Sequence, residues 1–248
     1  MMFQGLPPGW SLVCVRRQHD HVLDGRSGPP GFLAGMGGPL LGAVEAPVVM
    51  VGSDAVGVDR RLCAGELECP CGGGLSPWGY ARSRRVRGVG VVRPRRARCT
   101  VCRVTHVLLA VSCLSRRADG VEVIGAAVTA KAAGEGHRRI ADRLGRASST
   151  VRGWLRAFAG NAERIRVACT ALLAELDPLA GSVMPCGSVV ADAVEAIGLV
   201  AAAARRRLGV IGAVSAWQLA SAVTSGRLLA LVDSTGSCNT SWLLGTGV

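Results

Sequence analysis

The sequence predicts a mainly α-helical protein with one small β unit before its helical part. Three observations predict it. From residue 119 onward, apolar residues recur at three- and four-residue spacing, the period of a helix with one buried face. Before that, short strand-like runs between residues 86 and 110 lie among close cysteine pairs. Residues 1–47, with prolines at 7, 8, 29, 30, 39 and 47, sustain no period.

Residues 1–47 therefore read as a disordered Gly/Pro-rich arm. The run VVMVG at 48–52 reads as a short strand. Ser53 or Asp54 can then cap a helix through about Leu67, with Val58 and Leu62 on one side. Cys69 and Cys71 follow, then three glycines, and Cys99 and Cys102 close the unit as C-x-x-C. Strand-like runs lie at Val86 to Val92, Pro94 to Cys99 and Arg103 to Ala110. Two cysteine pairs on tight turns, separated by a hairpin, make a zinc ribbon, in which four thiolates converge on one Zn²⁺. Cys69 and Cys71 have one residue between them where a standard knuckle has two, so Cys63 is an alternative ligand. His106 and Cys113 are weaker substitutes, and His106 reads rather as a half-buried strand residue.

Charge points to a partner. The net charge is +12, and residues 61–160 alone sum to +13. From Pro70 to Ala118 there are eleven arginines and no acid. The runs Arg82, Arg84, Arg85, Arg87 and Arg93, Arg95, Arg96, Arg98 are expected on paired strands, where a phosphate backbone is the natural counter-charge. Trp78 and Tyr80 could stack on bases, but packing over the metal knuckle is the stronger expectation. The ten cysteines do not imply a secreted disulfide framework. Four of them cluster, and the start MMFQGLPPGW lacks a basic segment followed by an apolar one. A reduced, cytoplasmic, nucleoid-associated protein is the expectation. No membrane span is expected, because the uncharged run Leu208 to Ser225 carries Ser215, Gln218, Ser221 and Ser225.

Residues 119–133 supply the first helix of a three-helix unit, packing through Val123, Ala127, Val128 and Ala130. The segment His137 to Arg156 reads as helix, three-residue turn and helix. Ile140, Ala141 and Leu144 form one apolar face, and Val151, Trp154 and Leu155 form the next. Gly145 can take the left-handed conformation that ends a helix, and Ser148 and Ser149 can cap the second. Small Ala141, turning Gly145 and plugging Val151 suit two helices crossing steeply. After Gly160, Asn161 is expected to cap a helix to about Leu176, Ser188 to start another ending at Arg205 to Arg207, and Ser215 with Gln218 to form a capping box for a third stopped by Gly226. This neutral region could pack on the basic part or form a homodimer interface.

The fold class that follows is mainly α: a small β zinc ribbon, then a helix-turn-helix domain and a C-terminal helical region. The boundaries are a disordered arm at 1–47, the zinc-ribbon-like domain at 48–115, the helix-turn-helix at 116–160, a helical region at 161–232 and an irregular tail at 233–248.

Residues 137–156 resemble the DNA-binding helix-turn-helix, whose second helix lies in the major groove. On that resemblance Ser148, Ser149, Thr150, Arg152 and Arg156 face the groove, with Arg152 the best candidate for a bidentate guanine contact. Arg138, Arg139, Arg143 and Arg146 become phosphate contacts, joined by Arg84, Arg85, Arg87, Arg95 and Arg96 of the basic unit. The stretches CPCGGGLSPWGYAR, RPRRARCTVCRVTHVLL, HRRIADRLGRASSTVRGWLRAFAGNAERIR and SAWQLASAVTSGRLL together resemble a family of actinobacterial proteins that joins a zinc ribbon to a helix-turn-helix and a helical tail. Its members look like the DNA-recognition parts of insertion-sequence transposases. The chain departs from the family pattern at Glu68, where the first cysteine of C-P-x-C-G-G would fall.

The functional expectation is a sequence-specific protein of double-stranded DNA, a transcription regulator or mobile-element accessory, with structural zinc and no enzymatic activity. The alternatives are a transposase, or RNA binding through the basic unit. A transposase needs about three acids on a sheet to hold two Mg²⁺ ions. After residue 160 the acids are Glu163, Glu175, Asp177, Asp192, Glu195 and Asp233, and most fall in helical segments. RNA binding would need exposed aromatics, and the basic unit has few.

Overall fold

The computed structural model describes residues 48–180, 183–208 and 214–230. The expected arm at 1–47 and the irregular tail beyond 232 lie outside these residues. Strand β1 (Val48–Val51) leads through Gly52 and Ser53 into helix α1 (Ala55–Cys63). Asp54, rather than Ser53, caps α1, its carboxylate accepting from Val56 N at 3.1 Å and Gly57 N at 3.0 Å. Strands β2 (Leu75–Tyr80), β3 (Arg84–Val86), β4 (Gly90–Val92), β5 (Arg95–Cys99) and β6 (Thr105–Ala110) follow. Then come α2 (Val121–Ala132), α3 (His137–Leu144), α4 (Ser148–Leu176), α5 (Val189–Leu208) and α6 (Ala216–Val223).

The fold class is α plus β, not mainly α with a ribbon ahead of helices. Helices hold 49% of the described residues and strands 18%, and four strands form a mixed sheet in the order β1-β6-β5-β2. β1 joins β6 in parallel, from Val48 opposite Val107 to Val51 opposite Ala110. β5 lies antiparallel to both β6 and β2. The sequence reading undercounts strand for a physical reason. LSPWGY carries Ser, Pro and Gly and reads as loop, yet an edge strand tolerates a proline that donates no ladder bond. A parallel partner separated by more than fifty residues leaves no local signal either.

The two arginine runs do not pair. Val86 to Val92 is not one strand but a hairpin, in which β3 and β4 form their own two-stranded sheet with Arg84 opposite Val92 and Arg85 opposite Val91. Val89 N bonds Val86 O across the turn. Arg95, Arg96 and Arg98 sit instead on β5 within the larger sheet.

Alternation along the strands sorts the side chains to two cores. On one face Val49, Val51, Ala97, Cys99 and Leu108 pack with Val58 and Leu62 of α1. On the other, Met50, Leu109 and Val111 join residues of all five later helices in a single larger cluster. In α2, Ala127 and Val128 are buried, as expected, whereas Val123 and Ala130 are only partly so and Ile124 takes a core position instead.

α3 and α4 form as expected, joined by residues 145–147, with Gly145 left-handed at φ 60° and Ile140, Ala141, Val151 and Trp154 buried. Two details differ. Ala147, not a serine, stands at the N-cap of α4, and no side chain caps that helix. Asn161 does not begin a helix, because α4 runs unbroken for 29 residues through Gly160. Burial of Phe158, Ala162 and Ile165 overrides the roughly 1 kcal/mol propensity cost of a helical glycine. Asn161 is itself buried, donating from Nδ2 to Ala230 O at 2.7 Å. Ser215 and Gln218 do form the capping box. No helix among the described residues is long and apolar enough to cross a membrane.

Phe158 is fully buried and meets the Trp217 ring edge-on at 6.1 Å. Phe158→Ala is expected to lower unfolding free energy by about 3–5 kcal/mol. Val167→Ala, at an exposed site of the same helix, should change it by less than about 0.5 kcal/mol in parallel urea titrations.

Candidate metal centre and basic surfaces

Cys69 and Cys71 lie on the loop between α1 and β2, and Cys99 and Cys102 on the turn between β5 and β6. Pairing of β2 with β5, with Leu75 opposite Cys99, brings the two turns together at one end of the sheet. The four Sγ atoms lie within 4.8 Å of one another. Cys69 and Cys102 Sγ are 3.7 Å apart, and Cys71 and Cys99 Sγ are 3.5 Å apart. A tetrahedral ion with metal–sulfur bonds of about 2.3 Å requires sulfur–sulfur edges of roughly 3.8 Å, so the set fits a four-thiolate metal centre.

The single residue between Cys69 and Cys71 is no obstacle, because the chain tightens around them. Gly72 N bonds Cys69 O, and Cys69 N bonds Gly73 O, both at 2.8 Å. A Cβ at Gly73 would fall 2.7 Å from Cys99 Sγ, so only glycine lets that turn approach the sulfur. On the other turn, Val101 N and Cys102 N both donate to Cys99 Sγ at 3.4 Å. Burial opposes ionisation of Cys99, but these N–H groups outweigh it and bring its pKa down to about 6. Burial pushes Cys69 up. Cys63 is exposed and outside the group, so it does not replace a ligand.

His106 is fully buried rather than half-buried, with Nε2 3.2 Å from Cys69 Sγ. It stands behind a sulfur of the centre instead of among the four ligands, the place from which a ring N–H steadies a metal-bound thiolate.

The expected DNA contacts divide into two groups. Ser148, Ser149, Thr150, Arg152 and Arg156 are all exposed on the first turns of α4, and Arg138 and Arg139 are exposed on α3. Arg139 is 3.9 Å from Glu135, a weak exposed pair, and Arg143 bonds the same carboxylate at 3.0 Å. Arg85 is exposed, and Arg84 and Arg96 are half-buried. The other group is tied inward. Arg146 donates from Nε to buried Asp119 at 2.7 Å, and its Nη1 bonds Gly145 O at 3.0 Å. Arg87 reaches the same Asp119 at 3.6 Å. Arg95 pairs with Asp59 at 2.7 Å and lies over the Tyr80 ring at 4.4 Å. Arg146 and Arg95 therefore act first as structural ties.

Asp119 was not singled out from the sequence. The signal was present, since it is the only acid between Glu68 and Glu122 in the most basic part of the chain. Comparison with protein-family models, curated proteins and solved structures finds no match.

The reduced protein is expected to bind one thiophilic divalent ion per chain. Cobalt titration read by thiolate-to-metal absorption should saturate at one equivalent. Cys71→Ser should weaken binding at least tenfold, because a tetrahedral centre loses one of its four ligands, and Cys63→Ser should leave it unchanged. Equal effects of the two substitutions would contradict the assignment.

Proposed function

We propose that this protein binds double-stranded DNA in a sequence-dependent way through the first turns of α4, and that its four cysteines hold a structural zinc ion. The observation that carries the proposal is the start of α4. Ile140, Ala141, Val151 and Trp154 turn inward, while Ser148, Ser149, Thr150, Arg152 and Arg156 are all exposed. Ser148, Arg152 and Arg156 follow at i, i+4 and i+8 and share one face.

No side chain caps α4, so the backbone N–H groups of Ser148 and Ser149 remain available to a phosphate, where the helix dipole favours negative charge, while Thr150 N bonds Ala147 O. Arg152, one turn in, has the reach and the forked donors to bond O6 and N7 of a guanine. Arg138 and Arg139 on α3 supply phosphate contacts that fix position. The length of α4, roughly 43 Å for its 29 residues at 1.5 Å each, ties this exposed end to the packing of its other half on α5. For the metal, four thiolates without a carboxylate or an imidazole ligand are the donor set of a structural zinc site. Such a protein suits transcription regulation or service to a mobile element.

The test is competitive binding to a duplex selected from a random pool, at fixed salt. Arg152→Ala should weaken the selected duplex by about 1–3 kcal/mol and relax preference at one base position, with little change on scrambled DNA. Arg138→Ala with Arg139→Ala should weaken both duplexes alike and shallow the salt slope by about two units. Equal loss on both duplexes with Arg152→Ala would contradict the role given to α4.

A further inference from the structure

The face of the sheet away from α1 is only partly covered. Met50 and Leu109 carry the helices, but β2 and the C-terminal half of β5 extend past them. Leu75, Ala97 and Cys99 point to the α1 side, so alternation puts Ser76, Arg96 and Arg98 on the other. Pro77 pairs with Ala97 and Tyr80 with Arg95, which leaves one extra residue in β2, a bulge. Gly79, at φ 97°, absorbs it. The bulge returns Tyr80 to the α1 side, where its hydroxyl donates to Asp59, and leaves Trp78 against Arg98.

Trp78 is 52% exposed, and the Arg98 guanidinium lies over its ring, 4.7 Å from the centroid. Arg98 is held there by a 3.1 Å bond from Nε to Arg103 O. An indole left this far in water forgoes about half of the stabilisation its full burial would give. The backbone irregularity beside it serves to aim it outward. Around it the chain carries eleven arginines and no acid from Pro70 to Ala118.

We propose that this face, centred on Trp78 and Arg98, is a stacking site for an unpaired nucleic-acid strand. A flat ring with guanidinium groups beside it meets both parts of that ligand, bases by stacking and phosphates by charge. A duplex keeps its bases stacked inside, out of reach of a ring on a sheet, and an acidic peptide would use the arginines without the indole. The site is separate from the exposed face of α4, so it stands without the duplex reading.

The test uses the full chain with its metal, fluorescently labelled dT15 and U15 strands, and a 15-base-pair duplex of mixed sequence. Trp78→Ala and Trp78→Leu should each weaken both single strands by about tenfold, within the range for loss of one stacked base. Duplex affinity should stay within about twofold. Trp78→Phe should retain most of the single-strand affinity, and Arg152→Ala should leave it unchanged. The leucine variant keeps apolar bulk at the bulge while removing the aromatic face, and thermal unfolding of each variant shows that the sheet is intact. Unchanged single-strand binding in a folded Trp78→Leu protein overturns the proposal. So does an equal loss on duplex and single strands, which would make the face a charge anchor only. Displacement of wild-type-bound dT15 by a polyglutamate peptide, with peptide affinity falling in Trp78→Leu, would assign the face to an acidic protein instead.

Discussion

One buried carboxylate holds the basic β3–β4 hairpin and helices α2 to α4 in a single arrangement. Asp119 is almost wholly shielded from solvent and receives Arg146 from the turn after α3 and Arg87 from the end of the β3–β4 hairpin. The backbone repeats the link, with Arg87 N bonding Ala118 O and Gly120 N bonding Arg87 O, each at 2.8 Å. Gly120 is the N-cap of α2, and Arg146 also bonds the carbonyls of Leu144 and Gly145 at the end of α3. The hairpin, the start of α2 and the α3–α4 turn therefore meet at one residue. A charge this shielded is tolerated only when paired, and removing it would leave the largely buried Arg146 without its carboxylate. The ion pair fixes geometry more than it adds stability, because desolvation offsets much of the attraction.

That geometry gives the basic residues unequal roles. Arg146 and Arg95 answer buried or half-buried acids, and Arg98 answers an indole. Arg138, Arg152, Arg156 and Arg85 are exposed, and none pairs with an acid among the described residues. A net positive charge attracts polyanions over a distance, and the duplex contacts proposed above draw on this second set. The metal centre belongs to the same logic. Its four sulfurs tie the loop before β2 to the turn after β5, across an end of the sheet whose apolar cluster is small. A metal held there would add stability to an end of the sheet that buries little apolar surface.

What the sequence revealed was local. Ala141, Gly145 and Val151 announced the α3–α4 crossing because each position admits few residue types, and Ser215 with Gln218 announced a helix start by reciprocal bonding. The cysteine group was legible as pairs, though the fit of Cys69 and Cys71 needed the turn made by Gly72 and Gly73. What stayed hidden was nonlocal. β1 finds β6 across the whole basic segment, and Asn161 finds Leu228 and Ala230 at the far end of the helical region. A polar residue after glycine looks like a cap until tertiary partners satisfy it inside a helix. The facing of Trp78 stayed hidden for a similar cause, since a bulge that needs both Gly79 and a partner strand decides it.

Amide hydrogen exchange of the full chain, with and without a selected duplex, tests the central claim most directly. The first-turn amides of α4 lack a side-chain cap, so they exchange readily in the free protein. The account predicts that duplex binding slows exchange over Ser148 to Arg156 more than anywhere else. Tight duplex binding that leaves these amides exchanging as before, with protection confined to other segments, would contradict it.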